Sequence, residues 1–137
     1  MSQIFVQKLV AEGRPGSIVN VASTAGISAA PIACGYGILK AGLVHLTKNM
    51  AVELGPLKIR ANVICPGAVK TDMLNNLLDE AQTIGIPLEE WFDNRTPSVN
   101  KKTDVNEVVN TVLFLLSNCA TNITGAVIPI DGGFTLA

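Results

Sequence analysis

Tyr36 and Lys40 stand four residues apart in the string YGILK, a spacing that puts both side chains on one face of a helix. An ammonium beside a phenol favours the phenolate and lowers a reference pKa of about 10, each unit being about 1.4 kcal/mol. Such a phenol is expected to give a proton to a carbonyl oxygen or to take one from an alcohol. Ser23 stands at the C-terminal end of a predicted strand, the edge at which open parallel sheets bind their ligands. Its hydroxyl is expected to hydrogen-bond the same oxygen. A Tyr-x-x-x-Lys string alone is more often a surface pair than a site. The surroundings sharpen it: Ser23 ends a buried strand, Tyr36 and Lys40 open the next long helix, and Pro66-Gly67 follows the next strand.

The elements that must hold these residues follow from the pattern. Ile4, Phe5, Lys8 and Leu9 recur at helical spacing until Gly13, Pro15 and Gly16 interrupt them. SIVNVAS, 17 to 23, is rich in β-branched residues without strict alternation, as in a parallel strand buried on both faces. A helix is predicted from about Ala33 to Leu54, stopped by Gly55 and Pro56. A second buried strand follows over 58 to 64, so strand, helix and strand form a βαβ unit with parallel strands. TDMLNNLLDEAQ opens another helix, and the stretch through Gly85, Pro87, Trp91 and Pro97 is expected to be irregular. Thr103 is expected to cap a helix running to about residue 118, with its apolar stripe at Val105, Val108, Val109, Val112, Leu113 and Leu116. AVIPI is the last predicted strand. No linker or repeat divides the chain, so residues 1–137 form one domain.

Composition narrows the partners. The chain has 137 residues, 48% hydrophobic and 15% charged, enough apolar mass for a core. Ten basic against eleven acidic residues leave a net charge of −1 with no basic stripe, which argues against nucleic acid and anionic membranes as partners. A small neutral or weakly charged ligand fits better. Cys34, Cys65 and Cys119 lack the close spacing of a zinc site or a disulfide framework, so a reducing, cytoplasmic setting and no metal are expected. The N-terminus lacks the charged and apolar regions of a secretory signal, and no apolar run approaches the roughly 18 residues of a membrane span. His45 reads as a structural or surface residue of the long helix; Cys65 and Trp91 read as packing or pocket-wall residues.

The chain resembles the C-terminal half of a short-chain dehydrogenase/reductase. The family sets a Tyr thirteen residues after a Ser and a Lys four further on, the intervals that separate Ser23, Tyr36 and Lys40. Around them stand GSIVNVAS, KAGLVHLTKNMAVELGPLKIRAN, CPGAVKT and TGAVIPIDGG, in family order. The resemblance implies an α/β, doubly wound Rossmann-type fold of which this is the C-terminal portion. It implies interconversion of a carbonyl and an alcohol, with Tyr36 as acid/base, Lys40 lowering its pKa and holding the nicotinamide ribose, and Ser23 positioning the substrate oxygen. Pro66, Gly67, Val69 and Thr71 would cradle the nicotinamide of NADP or NAD, NADP being slightly preferred. Each has a plainer alternative: Ser23 satisfying a strand end, Thr71 capping the helix beginning at Asp72, and Pro66-Gly67 forming an ordinary turn.

Several family features are missing from these 137 residues: the glycine-rich phosphate loop, the adenine-binding residue, the Asn-Ala-Gly strand and the catalytic asparagine. The chain is therefore expected to be a truncated form, or a short product that binds no cofactor and acts as an interaction module. The resemblance implies a homo-oligomer, dimer or tetramer, in the full-length form, paired through the Tyr/Lys helix and the helix before the serine strand. Ile38 and Leu39 stand where the family has two small residues, and Leu39 is expected to crowd the site. Within the family the chain looks most like the L-xylulose/dicarbonyl reductases, with the 3-oxoacyl reductases close behind.

Overall fold

A computed structural model describes residues 2–137 of the chain. Its helices are α1 (Ser2–Ala11), α2 (Cys34–Leu54), α3 (Asp72–Thr83), α4 (Leu88–Arg95) and α5 (Val105–Leu116). Its strands are β1 (Gly16–Val21), β2 (Ile59–Pro66) and β3 (Val127–Ile130). They form one parallel sheet in the order β1-β2-β3, in which Gly16 to Val21 pair with Ile59 to Ile64 and Val63 to Pro66 pair with Val127 to Ile130. The predicted βαβ unit is thus present, and its second strand, β2, is the centre of the sheet. Pro129 is tolerated in β3 because that strand lies at the sheet edge, where a missing N–H breaks no ladder.

Helices cover both faces, which is why the strands lack alternation. On one face Ile59 and Ala61 of β2 and Ile18 of β1 pack against Leu9 of α1 and Ala51 of α2. Val63 and Cys65 continue that row against Ala22 and Val44. Asn20 of β1 donates to Thr47 of α2 at 2.9 Å on this side. On the other face Ser17 donates to the Leu115 carbonyl of α5 at 3.1 Å, and Arg60 reaches the Ser117 and Ile123 carbonyls at 3.2 Å each. Asn62, wholly buried, donates to the Ile123 carbonyl at 2.8 Å and accepts from Ala126 N at 3.0 Å, fixing the approach to β3.

The helix expected at the start of the chain is present as α1, with Leu9 and Val6 inward and Ile4 and Phe5 outward. Three expectations are corrected. The stretch after Pro87 is not irregular throughout but contains α4. Thr103 is no cap: it is buried, bridges to Val69 and donates to the Ile130 carbonyl at 3.2 Å. Asp104 caps α5 instead, accepting from Asn106 N at 2.9 Å while Glu107 accepts from Asp104 N at 2.8 Å, a capping box. Along α5, Leu115 is the fully buried residue, whereas Val105, Val109, Leu113 and Leu116 of the predicted stripe are exposed.

Candidate active site

β1 stops at Val21, and the chain turns through a single 3-10 turn, Thr24–Gly26, before α2. Ser23 caps that turn with extended backbone, its Oγ accepting from Ala25 N at 3.2 Å. The cap uses the oxygen as acceptor and leaves the hydroxyl proton free to donate elsewhere. From α2, Lys40 Nζ donates to the Val21 carbonyl at 3.0 Å and lies 5.5 Å from the centre of the Tyr36 ring. One of the three ammonium donors is thereby used, which aims the side chain along the C-terminal edge of the sheet. Tyr36 is half-exposed, and its hydroxyl makes no hydrogen bond among the described residues.

Two glycines bring the serine turn onto α2. A Cβ on Gly26 would lie 2.7 Å from the Lys40 carbonyl carbon, and one on Gly37 would lie 2.8 Å from the Ala25 oxygen. Both obstacles are backbone, so neither can move aside. The reciprocal contact sets the distance between Ser23 and the Tyr36-Lys40 pair, and the sequence analysis missed it. Its signal was a glycine at the second position of YGILK, inside a helical pattern that glycine disfavours. Ile38 and Leu39 are 68% and 75% exposed, pointing away from the cleft, so Leu39 does not crowd the site as expected. His45 is exposed on α2, as expected of a surface residue.

The opposite rim follows β2. Gly67 N donates to the Ile130 carbonyl at 3.0 Å, and its Cα sits where a Cβ would meet Asp131 at 3.0 Å. Val69 is held by its bridge to Thr103. Thr71 caps α3, accepting from Leu74 N at 3.4 Å and donating to the Val69 carbonyl at 3.2 Å. The plainer role of Thr71 is therefore realised, with its position on the rim besides. All the residues singled out in the sequence, Ser23, Tyr36 and Lys40 on one side and Pro66, Gly67, Val69 and Thr71 on the other, line one cleft of about 1040 Å³. Leu74 and Leu77 of α3, Leu88 and Phe92 of α4 and Val108 of α5 supply apolar walls. The α4 residues were missed because that stretch was read as irregular.

Cys65 lies beneath the site, wholly buried, and burial pushes its thiol up from its ordinary value of 9.0. A hydrogen bond with the Ser23 backbone and the Lys40 charge oppose the rise, while Asp131 adds to it. A thiol kept protonated is a packing residue and no nucleophile. Trp91 packs on Phe92 and Phe134, outside the cleft lining.

A family profile described as enoyl-(acyl carrier protein) reductase matches residues 1–135. The chain belongs to the short-chain dehydrogenase/reductase family. D-Erythrulose reductase of Gallus gallus is 39% identical over 137 residues, all of this chain and 53% of the relative. L-Xylulose reductase of Cavia porcellus is 41% identical over 134 residues, 98% of this chain and 52% of the relative. A solved 4-hydroxyisoleucine dehydrogenase complexed with NADH superposes with a TM-score of 0.86 at 30% identity, covering 99% of this chain and 54% of that one. The chain thus spans about half the length of the relatives it matches, consistent with the C-terminal portion of a Rossmann-type fold.

The cleft fits the nicotinamide end of such a cofactor. Lys40 keeps two ammonium donors free, and the Pro66–Thr71 rim lies at the C-terminal edge of a parallel sheet, where open α/β folds bind dinucleotides. The pyrophosphate end has no counterpart: among the described residues no glycine-rich turn leads from a strand into a helix N-terminus. No helix of the described residues is long and apolar enough to cross a membrane.

Proposed function

We propose that the chain carries the catalytic and substrate half of an oxidoreductase that interconverts a carbonyl and an alcohol, of the kind that acts on small ketoses. The observation that carries this reading is the meeting of a serine hydroxyl whose proton is not used by its cap, a tyrosine and an anchored lysine on one wall of an otherwise apolar cleft. NADP or NAD, when bound, supplies or accepts the hydride.

Ser23, with its Oγ proton unspent on the cap, donates to the substrate oxygen and holds it toward Tyr36. Tyr36 gives its hydroxyl proton to that oxygen in reduction and takes it back in oxidation. Lys40 stabilises the phenolate left behind, and its free donors suit a ribose hydroxyl. Pro66, Gly67, Val69 and Thr71 hold the nicotinamide edge, the bond from Gly67 N to Ile130 O keeping the rim rigid. The apolar walls from α3, α4 and α5 exclude water and leave the polar wall to orient the carbonyl.

The test is reduction of L-xylulose with NADPH and with NADH by the chain, alone and joined to a glycine-rich first half of the same family. Tyr36→Phe is expected to lower kcat by roughly 10²–10⁴-fold, the usual worth of a positioned acid, while cofactor binding followed by fluorescence stays unchanged. Retained turnover in that variant overturns the assignment. A second reading, a non-catalytic module that pairs with a related full-length subunit, is favoured by the open outer edge of β1 and the exposed apolar face of α2. Tight NADPH or NADH binding by the 137 residues alone would sink it.

A further inference from the structure

α4 presents Leu88, Trp91, Phe92 and Arg95 at intervals of three and four, which form one continuous strip along the helix. The strip has two ends with different neighbours. Leu88 and Phe92 line the cleft. Arg95 lies beside a pair of touching aromatic rings, its guanidinium carbon 5.2 Å from the centres of both Trp91 and Phe134. Its Nη2 donates to the Ala137 main-chain oxygen at 2.8 Å. Phe134 is buried and meets Trp91 edge-on at 5.2 Å and Phe92 at 5.6 Å.

The turn that Arg95 grips is itself tied to the sheet. Asp131, directly after β3, accepts from Gly133 N at 3.0 Å through Oδ1 and from Thr135 N at 3.0 Å and Thr135 Oγ1 at 2.8 Å through Oδ2. Its Cβ abuts Gly67 on the cofactor rim. An unbroken line of contacts therefore runs from the rim, through residues 131–137, to the apolar wall on α4. Plain packing would be served by a leucine at position 95. A planar cation that meets two rings at once, with a donor aimed at one main-chain oxygen, fixes orientation as well as filling space.

We propose that Arg95 is a positioning residue: it locks α4 to the 131–137 turn and so fixes Leu88 and Phe92 as the wall that selects the substrate. The selection rests on the oxidoreductase reading; the mechanical lock does not. Hydrogen exchange on the 137-residue chain reads the lock directly. Arg95→Met, which keeps the stem but loses the charge and the hydrogen bond, is expected to speed exchange across 88–95 by roughly fivefold or more. Amides of β1 and β2 stay unchanged, and emission of Trp91, the chain's one tryptophan, shifts. Arg95→Lys, retaining a cation without the planar fork, falls between.

Unchanged exchange across 88–95 overturns the lock. Equal loosening of β1 and β2 overturns it too, because Arg95 would then be a general stability residue. Phe134→Leu provides a second variant with the same readout, should Arg95→Met fail to fold. In an active preparation Arg95→Met is expected to raise KM for L-xylulose roughly fivefold with kcat within about twofold. An unaltered KM overturns the selecting role. Lack of turnover by the unmodified protein strikes at the proposed function alone, and the exchange result still decides the lock.

Discussion

Gly37 and Gly42 lie five residues apart on α2, and alanine is expected to act in opposite directions at the two. Nothing lies within 4 Å of a Cβ at Gly42, so Gly42→Ala removes only the entropy cost of a helical glycine and stabilises by about 0.5–1 kcal/mol. At Gly37 the same methyl would meet the Ala25 oxygen at 2.8 Å. Over-packing against backbone costs about 1–3 kcal/mol, which outweighs the propensity gain. Urea denaturation should therefore rank Gly42→Ala above the unmodified protein and Gly37→Ala below it. Identical midpoints for the two variants would remove the close approach as the determinant of the Ser23 to Tyr36 spacing. The residue types of the site were legible in the sequence because reactive groups sit at fixed intervals. The glycines that set their separation were not, because a missing side chain announces no partner.

At the scale of the element, β1, α2 and β2 followed from local pattern, since a βαβ unit buries each strand on both faces and breaks its helix at Gly55-Pro56. α4 and the start of α5 did not. Between Gly85 and Pro97, Trp91 and Phe92 pack against Phe134, more than forty positions later, so periodicity alone gave no direction. Thr103 was expected to cap α5, and Asp104 does so instead. Tertiary demand decides it: Thr103 is needed by Val69 and Ile130, which leaves Asp104 to close the box with Glu107. Asp104→Ala should accordingly cost about 1 kcal/mol, and Asp104→Asn much less because asparagine caps nearly as well. Thermal or urea unfolding of the pair checks this; an Asp104→Ala variant as stable as the parent would show the cap to be idle.

For the molecule as a whole, the balance between buried and exposed apolar surface decides its company. Ile38, Leu39, Leu46 and Val52 of α2 are between 52% and 79% exposed, more than a small soluble chain leaves without purpose. Leu39 and Leu46 are seven residues apart, two turns along one face. In a symmetric pair each patch is used twice, and a buried aliphatic side chain contributes about 1.5–3 kcal/mol. The gross gain, on the order of 10 kcal/mol for side chains already partly covered, is comparable with an association cost of about 4–15 kcal/mol. Pairing through α2 should thus be real but finely balanced, and sensitive to small losses. Leu39→Glu with Leu46→Glu places four carboxylates at the centre of the paired surface, so sedimentation at about 400 μM, well above the roughly 40 μM dissociation constant that a net gain of about 6 kcal/mol implies, should move from dimer to monomer. Because both positions are exposed in the single chain, its stability should change by less than about 1 kcal/mol. A double variant that sediments like the parent would place the interface elsewhere, with the outer edge of β1, unpaired among the described residues, as the surface left to account for it.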